Sequence, residues 1–465
     1  MKIAMKSVVF LAWVLNGTLA FAQAGAIDPD FHSYGTEKEI TSIVEQQDKK
    51  VLIAGKFFSY DGDSARYITR LNPDGGHDLQ FNDKGLGPDA PVVQMKLQKD
   101  EKIIIIGAFT KYNGKSADKI ARLNTDGTLD TSFKAADIGK YSAIYAMEIQ
   151  ADDKILLIGY FLKNVGGYID EKNIIRLNKD GSLDSSFISH GVGSGYYSVL
   201  ALQEDGKIVL GGWLVIDDPE YTRPCVLRLN SDGTFDSTFP TTEANGKISV
   251  IAVQSNQKIL IGGEFTEYDA QKVSGLIRIE SNGDIDAGFN APVSDVTAVA
   301  FQSDEKILVG GIYSSEGFYS TFSRLNTDGS RDNSFDSGEG PNKRATVICV
   351  QEDSKILLGG YFITYNGFPK NRLVRLISED KNNVRQWIKS EELSLYPNPG
   401  TGLFIINTAD ETMLNISVCD GEGRLIKKRF TESNSIDLSD FPDGMYFIEV
   451  LYEGETEVVK AVVQH

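Results

Sequence analysis

The chain has 465 residues, with 65 acidic against 47 basic side chains and a formal net charge of −18. This acidity argues against nucleic acid or anionic lipid as partners, because both require a basic face. The cysteines number only three, Cys225, Cys349 and Cys419, and the four histidines are scattered. A disulfide framework or a zinc site is therefore not expected, and we predict no metal and no cofactor.

Residues 1–22 match a secretory signal peptide. Lys2 and Lys6 precede an apolar run, and Ala20-Phe21-Ala22 satisfies the small-residue cleavage rule, so the mature chain is expected to begin at Gln23. A retained membrane anchor is the alternative, but the run is short for a span, and no later stretch reaches ~20 apolar residues. We therefore predict a secreted protein without a transmembrane segment in its mature form.

A twelve-residue pattern, Arg-Leu-Asn-x-Asp-Gly-x-x-Asp-x-x-Phe, recurs at steps of 46 to 54 residues. Each copy follows an upstream half, Gln-x-Asp-x-Lys-Ile-x-x-Gly-Gly-x-Phe, and short apolar runs alternate with turn signals throughout. Four short strands in a repeat of this length are typical of a β-propeller blade. The arginines of the seven copies are Arg70, Arg122, Arg176, Arg228, Arg278, Arg324 and, in a decayed copy, Arg375.

The Asp-Gly step predicts a three-residue hairpin loop with glycine in the left-handed conformation. Such a loop places each arginine opposite the aspartate eight residues later, which indicates a structural ion pair across two strands. Calcium binding by the same loop is the alternative, but a guanidinium would occupy the place of the cation. The predicted pairs are Arg70–Asp78, Arg122–Asp130, Arg176–Asp184, Arg228–Asp236, Arg278–Asp286 and Arg324–Asp332.

The seventh copy predicts how the ring closes. Asn383 stands eight residues after Arg375, whereas an extra Asp-x-x-Phe half, Asp28-Pro29-Asp30-Phe31, precedes every arginine. We therefore expect the N-terminal segment to form the outer strand of the last blade and Asp28 to pair with Arg375. This closure removes exposed sheet edges and predicts a seven-bladed propeller over residues 23–380. An open solenoid is the alternative.

The repeated Gly-Gly-x-Phe and Arg-Leu-Asn-x-Asp-Gly-x-x-Asp-x-x-Phe halves resemble the delta-60 repeat family of bacterial β-propellers over about residues 27–380. A departure is Arg278-Ile279-Glu280 in the fifth copy. The resemblance implies a fold and no single activity.

After a polar linker at residues 381–392, residues 393–465 form alternating apolar runs that predict a small immunoglobulin-like β-sandwich. This segment resembles the type A sorting domain of the type IX secretion system of Bacteroidetes. Tyr396-Pro397-Asn398-Pro399 and Gly444-Met445-Tyr446-Phe447 carry the resemblance. It implies the type IX machinery as a partner, export through the periplasm, and removal of the domain with release or surface attachment. An ordinary terminal β-sandwich is the alternative.

The propeller sequence favours a non-catalytic, monomeric binding or scaffold module. The loops of one face are long and variable, and such loops commonly carry function over a rigid scaffold. Aromatic side chains with polar neighbours suit either a glycan or a protein ligand. Tyr60, Tyr112 and Tyr365 recur in register and are expected to pack internally. The candidate binding residues are Tyr196, Tyr197, Glu220, Tyr221, Phe318 and Tyr319.

The alternative function is an extracellular propeller enzyme such as a glycosidase or lyase. It would need a carboxylate pair, or a constellation of tyrosine and histidine, in the channel. No histidine recurs, the recurring acids are tied to arginines, and the regularity of the repeats indicates little specialisation of any one blade. No catalytic residue is therefore assigned from the sequence.

Overall fold

The computed structural model describes residues 24–378 and 394–465, apart from short internal segments. Those segments are residues 84, 140, 166–167, 189–194, 216–221, 316–317, 408–413, 420–424, 432–434 and 453–454. Every regular element in the described residues is a β-strand, so they contain no helix able to cross a membrane. The chain divides into two compact units between residues 380 and 381.

The first unit consists of seven antiparallel sheets, or blades, each built on three successive strands. The first strands of neighbouring blades contact one another, and the seventh contacts the first, so the blades close around a central channel. The predicted seven-bladed propeller is confirmed. The first strands, from blade 1 to blade 7, are Ile40–Glu45, Val92–Leu97, Ala143–Ile149, Gly195–Leu202, Ile248–Val253, Val293–Phe301 and Ala345–Val350.

The second strand of each blade is a nearly continuous apolar run because neighbouring blades cover both of its faces. In Ile103–Gly107 all five residues are buried, and Ile105 belongs to one core cluster with Leu52 of blade 1. The second strands are Val51–Gly55, Ile103–Gly107, Ile155–Val165, Ile208–Val215, Ile259–Gly263, Ile307–Ser315 and Ile356–Gly360. The third strands are Ile68–Leu71, Ile120–Leu123, Tyr168–Leu177, Thr222–Leu229, Leu276–Ile279, Phe318–Leu325 and Leu373–Leu376.

The connections between second and third strands take two forms. In blades 3, 4 and 6 the two strands run on as long antiparallel arms, and Thr242–Glu243 adds a short strand to blade 4. In blades 1, 2, 5 and 7 the connection instead forms a separate small hairpin. These hairpins pair Ser59–Tyr60 with Asp63–Ser64, Lys111–Tyr112 with Lys115–Ser116, Glu267–Tyr268 with Gln271–Lys272, and Thr364–Tyr365 with Phe368–Pro369.

The outer, fourth strand of each blade is shorter than predicted. Four strands per repeat are predicted from the sequence, but in blade 3 the pairing of the outer segment is a single antiparallel bridge between Leu177 and Leu183. The Oδ1 atom of Asp184 accepts a hydrogen bond from the backbone N–H of Ser186 at 3.0 Å, and its carbonyl accepts one from Phe187. The chain therefore turns directly after the aspartate instead of continuing as a strand.

The N-terminal segment completes blade 7. Ile27 forms an antiparallel bridge with Leu376, and the backbone N–H of Asp28 donates to the carbonyl of Arg375 at 2.8 Å. Gly25, at φ +95°, lies three residues before Asp28, as the turn glycines of the other blades precede their aspartates. Gly25 therefore supplies the left-handed turn residue that the sequence after Arg375 lacks, and an open solenoid is ruled out.

The second unit is a two-sheet β-sandwich. Its core lies between the sheets and contains Phe404, Ile416, Ile448 and Ala461. The agreement with the predicted sandwich extends to the two sheets, and the immunoglobulin-like arrangement stays a prediction. One sheet contains Ser394–Tyr396, Leu403–Asn407 and Ser435–Asp437; the other contains Leu414–Cys419, Leu425–Thr431, Gly444–Tyr452 and Glu455–Val463.

Candidate functional site

The recurring aspartates lie on one face of the propeller, here called the turn face because it carries the Asp-Gly turns. Each accepts a hydrogen bond on Oδ2 from the arginine Nε of its blade at 2.7–2.8 Å, and a lysine Nζ lies within 2.7–3.1 Å of the same oxygen. The arginine partners are those expected from the eight-residue offset, and Asp28 takes the equivalent place beside Arg375.

The same arginines connect neighbouring blades. Nη1 of Arg122 donates to the carbonyl of Lys179 in the turn of blade 3 at 2.6 Å, and Nη1 of Arg375 donates to the carbonyl of Pro73 in blade 1 at 2.5 Å. Each guanidinium also lies over the phenylalanine of its own motif, with its central carbon 4.5–5.1 Å from the ring centroid. Ion pairing, cation–π contact and blade linkage thus account for the motif.

These contacts set the protonation state of the aspartates. Burial raises the pKa of Asp286, but hydrogen bonds from Lys258, Arg278 and the backbone N–H of Gly288 outweigh it and lower the pKa to about 2. The pKa of Asp130 is lowered further for the same kind of reason, with Lys102 and Ser132 as its main donors. A carboxylate held ionised by two cations is a poor proton donor near neutral pH. This geometry is structural.

The Asp-Gly turns adopt the predicted conformation, and their side chains are engaged locally. Gly127 has φ +85°, and the backbone N–H of Asn124 donates to the carbonyl of Thr128 at 2.8 Å. Oδ1 of Asp126 accepts hydrogen bonds from the backbone N–H and the hydroxyl of Thr128. Among the described residues, no group of three or more His, Cys, Asp or Glu is arranged to hold a metal ion.

The recurring tyrosines pack inside the blades, as their register predicted. Tyr60, Tyr112 and Tyr365 are fully buried. The Tyr112 hydroxyl donates to the carbonyl of Gly127 at 2.7 Å, and the Tyr365 hydroxyl donates to that of Gly25 at 3.1 Å. The tyrosine of blade 7 thereby contacts the N-terminal segment that closes the ring.

The central channel has a volume of about 660 Å³ and is lined by the first strands of all seven blades. Its wall contains an ion pair between Lys96 Nζ and Glu148 Oε1 at 2.6 Å. Nearer the face opposite the turn face, hydroxyls of first-strand residues donate hydrogen bonds to the backbone of the next blade. Thr41 Oγ1 donates to the carbonyl of Val92 at 2.9 Å, and Thr297 Oγ1 donates to that of Ala345 at 2.6 Å.

The channel opens on the face where first strands begin and second strands end, here called the loop face. The opening widens into a pocket of about 710 Å³ over blades 4 to 7, and we call this the mouth pocket. It shares Val199, Ser249, Thr297 and Thr346 with the channel. Among the described residues, its lining is Ser198, Val199, Lys247, Ser249, Thr297, Lys343, Arg344, Thr346 and Tyr361.

The Gly-Gly sequences position the rim of the mouth pocket. The backbone N–H of Tyr361 donates to the carbonyl of Arg344 at 3.0 Å. A Cβ on the preceding residue, Gly360, would lie 2.4 Å from that carbonyl oxygen, so glycine allows the two strands to approach. In blade 4 the equivalent residue to Tyr361 is Trp213, paired with Tyr196. The side chains of Trp213 and Tyr361 are 41% and 42% exposed.

Blade 6 departs from the other blades beside this pocket. The residues 295–297 of its first strand face the single residue Gly311, whereas the first strands of other blades bulge by one residue. Asp295 has φ +51°, and its buried Oδ1 has no hydrogen-bond partner among the described residues. Its Oδ2 lies 2.6 Å from Nη2 of Arg344. A bulge with an αL aspartate marks one specialised blade, which the regular repeats did not indicate.

Of the six candidate binding residues predicted from the sequence, the structure describes only the backbones of four. Glu220 and Tyr221 lie outside the described residues. The backbones of Tyr196 and Tyr197 belong to the first strand of blade 4, and those of Phe318 and Tyr319 to the third strand of blade 6. Nothing is described of the side chains of these four residues, so their role in binding stays a prediction.

Sequence reasoning missed Lys247, Arg344, Asp295 and Tyr361. Lys247 and Arg344 each immediately precede a first strand, and Asp295 lies in the bulge of the blade 6 first strand. Tyr361 fills the variable place of Gly-Gly-x-Phe. Aligning the seven copies by their glutamines would have shown that Lys247, Arg344 and Tyr361 meet at one end of the channel.

In the sorting segment, the sequence motif lies against the last strand. Oδ1 of Asn398 accepts a hydrogen bond from the backbone N–H of Val462 at 2.9 Å, and Gly400 forms a parallel bridge with Val463. The Tyr446 hydroxyl donates to the carbonyl of Pro442 at 2.8 Å. Tyr396, at the start of the motif, is exposed.

Solved structures similar to the chain share little sequence with it. PorZ, described as an essential bacterial surface component of the type-IX secretion system of Porphyromonas gingivalis, is 13% identical with a TM-score of 0.45; the match covers 96% of this chain and 61% of PorZ. Virginiamycin B lyase from Staphylococcus aureus is 14% identical with a TM-score of 0.41, over 74% of this chain and 97% of the lyase. No curated protein matches the sequence.

Family models match both units. The model of a β-propeller domain of unknown function, DUF5122, matches residues 46–81, 98–133, 150–187, 203–239, 254–289, 302–335 and 351–378. A secretion system C-terminal sorting domain matches residues 394–464, which implies a type IX export route, a Bacteroidetes source, and export to the cell surface or the extracellular space. The seven matched repeats coincide with the seven blades, and on that ground the chain belongs to the DUF5122 β-propeller family.

Proposed function

We propose that this protein is an extracellular binding module that holds a glycan or protein ligand at the mouth pocket and catalyses no reaction itself. The carrying observation is the pocket of about 710 Å³, whose lining combines Lys247, Lys343, Arg344 and the exposed ring of Tyr361. Its volume lies within the about 300–1,000 Å³ usual for ligand sites. Exposed aromatic rings among polar groups suit contact with a partner.

The contrast between the two faces supports this assignment. On the turn face, the recurring charges are paired with one another, as in Arg278 with Asp286 and Lys258. At the mouth pocket, Lys247 and Lys343 have no ion-pair partner among the described residues. A ligand on the loop face would therefore meet charges that are not already neutralised within the protein.

The proposed route follows from the two ends of the chain. The signal peptide at residues 1–22 directs the protein to the periplasm, and the C-terminal unit directs it through the type IX machinery. Removal of that unit leaves a monomeric propeller, released or attached to the surface.

The test compares ligand capture by the two faces. The mature secreted protein is screened on a glycan array and by pull-down against cell-surface extracts. Trp213→Ala with Tyr361→Ala should abolish captured signals, whereas Leu183→Ala with Phe235→Ala, which removes exposed apolar side chains from the turn face, should not. A ligand that is still captured by the Trp213→Ala, Tyr361→Ala variant but is no longer captured by the Leu183→Ala, Phe235→Ala variant would bind on the turn face. That result would contradict the proposal.

A propeller glycosidase or lyase is the competing function, and the same screen separates the two. Captured glycans are incubated with the protein and analysed by mass spectrometry. Shortened or unsaturated products that disappear in Arg344→Gln would show catalysis at the mouth pocket.

A further inference from the structure

The lining of the mouth pocket is cationic in a strongly acidic protein. Three of its nine residues, Lys247, Lys343 and Arg344, carry positive charge, and none of the nine is an aspartate or glutamate. The chain as a whole has a net charge of −18. The comparable pocket on the turn face contains Glu204 and Asp205 beside its lysine and arginine. The positive charge is therefore local to the mouth pocket.

Arg344 is held by carboxylates at one of its nitrogen atoms, and its other N–H groups remain able to donate to a ligand. Its Nη2 lies 2.6 Å from Oδ2 of Asp295 and 3.4 Å from Oε1 of Glu264. Among the described residues, the side-chain hydrogen bond of Arg344 is the one that Nη2 donates to Asp295. The guanidinium is thus positioned by one edge, and its remaining N–H groups suit bidentate binding of another anion.

The rest of the pocket is suited to sugar rings. Ser198, Ser249, Thr297 and Thr346 present hydroxyls along the pocket wall, and hydroxyl oxygens that donate to the backbone can still accept hydrogen bonds. The exposed ring of Tyr361 offers an apolar face to the C–H groups of a pyranose. The side chains of an acidic peptide would use the cations but carry no donors for these hydroxyl oxygens, whereas the hydroxyls of a sugar donate to them.

Resting on the proposed function, we infer that the ligand is an acidic polysaccharide, recognised through carboxylate or sulfate groups by Lys247, Lys343 and Arg344. The cations contribute through charge, so salt weakens binding. Asp295 acts as a positioning residue for Arg344 and does not contact the ligand.

Isothermal titration calorimetry of the mature protein tests the inference. The probes are polygalacturonate, dextran sulfate, neutral dextran and polyglutamate at low and high salt. Binding of at least one of the two acidic polysaccharides should exceed that of dextran at least tenfold and weaken with salt. The relative strength of the two separates carboxylate from sulfate recognition.

Matched variants locate the interaction. Lys247→Gln with Lys343→Gln should weaken binding of the acidic polysaccharide at least tenfold, whereas Lys111→Gln with Lys272→Gln, which removes the same charge from exposed hairpins, should not. Asp295→Asn should weaken binding without loss of thermal stability beyond that of the lysine variants. Equal weakening by both lysine pairs would show non-specific attraction and overturn the inference.

Three further outcomes separate this inference from the proposed function. Dextran binding that Tyr361→Ala abolishes and the lysine variants leave unchanged would overturn the acidic class while retaining a glycan-binding module. Polyglutamate binding as tight as that of the polysaccharides would assign a protein ligand instead. Capture that neither Tyr361→Ala nor the lysine variants affect would refute the mouth pocket itself.

Discussion

At the scale of single residues, one arginine per blade performs three structural tasks. Arg278 donates through Nε to Asp286 at 2.7 Å and through Nη1 to the carbonyl of Thr327 in blade 6, and its plane lies over Phe289. Its aspartate partner is buried, so neither charge of the pair is well solvated. Removal of one member leaves the other buried without a counter-charge, and such changes cost about 3–5 kcal/mol.

Asp286→Asn should therefore reduce the free energy of unfolding by about 3 kcal/mol at pH 7, and by much less near pH 2. The pKa of Asp286 is lowered to about 2 in the folded protein, against about 3.9 when unfolded. Its stabilisation is consequently complete above about pH 5 and is lost as the pH falls through the folded value. Thermal unfolding of the mature chain at several pH values measures the difference.

Asp304→Asn is the matched control, because Asp304 is exposed and lies 3.6 Å from its lysine partner. This variant should match the unmodified chain at every pH. A deficit for Asp286→Asn that stays constant from pH 7 to pH 2 would contradict the ion-pair explanation.

At the scale of elements, closure of the propeller depends on the N-terminal segment, which fills the outer position of blade 7. Gly25 contributes its backbone N–H to the carbonyl of Ile377 at 2.8 Å, and the carbonyl of Ala24 accepts from Asp336 at 2.8 Å. An added Cβ at Gly25 would lie 2.3 Å from the carbonyl oxygen of Asp336. The outer position of blade 7 thus allows no side chain at this residue.

Gly25→Ala should lower thermal stability at least twice as much as Gly62→Ala. Both glycines have positive φ, +95° and +92°, so each substitution adds backbone strain of about 1–3 kcal/mol. Only Gly25 also has backbone atoms in the way, since nothing lies within 4 Å of a Cβ at Gly62. Calorimetry of the two variants compares them, and equal losses would mean that the N-terminal segment contributes little to closure. Deletion of residues 23–36 should lower the melting temperature further still.

The sequence predicted the elements that repeat and missed those that occur once. Seven copies of one motif reveal their partners, which is why Arg375 could be matched with Asp28. The length of the outer strands was overestimated, because the sequence shows the aspartate of each motif but not the turn that its side chain stabilises. Asp295 could not be found, since its role depends on a bulge in one blade and on the position of Arg344 in the next.

At the scale of the whole molecule, folding and export are encoded in separate units. Every blade strand ends by Leu376, and the sorting domain matches residues 394–464. The core of each unit is built from its own residues. The propeller should therefore fold without the C-terminal sorting domain.

A chain shortened to end near Lys389 should fold with the melting temperature of the processed protein and accumulate in the periplasm of its native host. It keeps residues 1–22, which are predicted to direct export to the periplasm, and all closure contacts but lacks the sorting domain. Cell fractionation with immunoblotting follows both chains, and the full chain should appear outside the cell without its C-terminal unit. If the shortened chain leaves the cell as efficiently, the sorting assignment is wrong.

Closure by the N-terminal segment also sets an order in time. Asp28 and its partner Arg375 are 347 residues apart, so the segment that completes blade 7 finds its partner only after nearly all of the propeller has been made. Until then, the strand edges of the first and last blades are both open to other chains. A chaperone or rapid translocation would protect the protein most in that interval, and a stalled or truncated chain would aggregate through the blade that never received its outer strand.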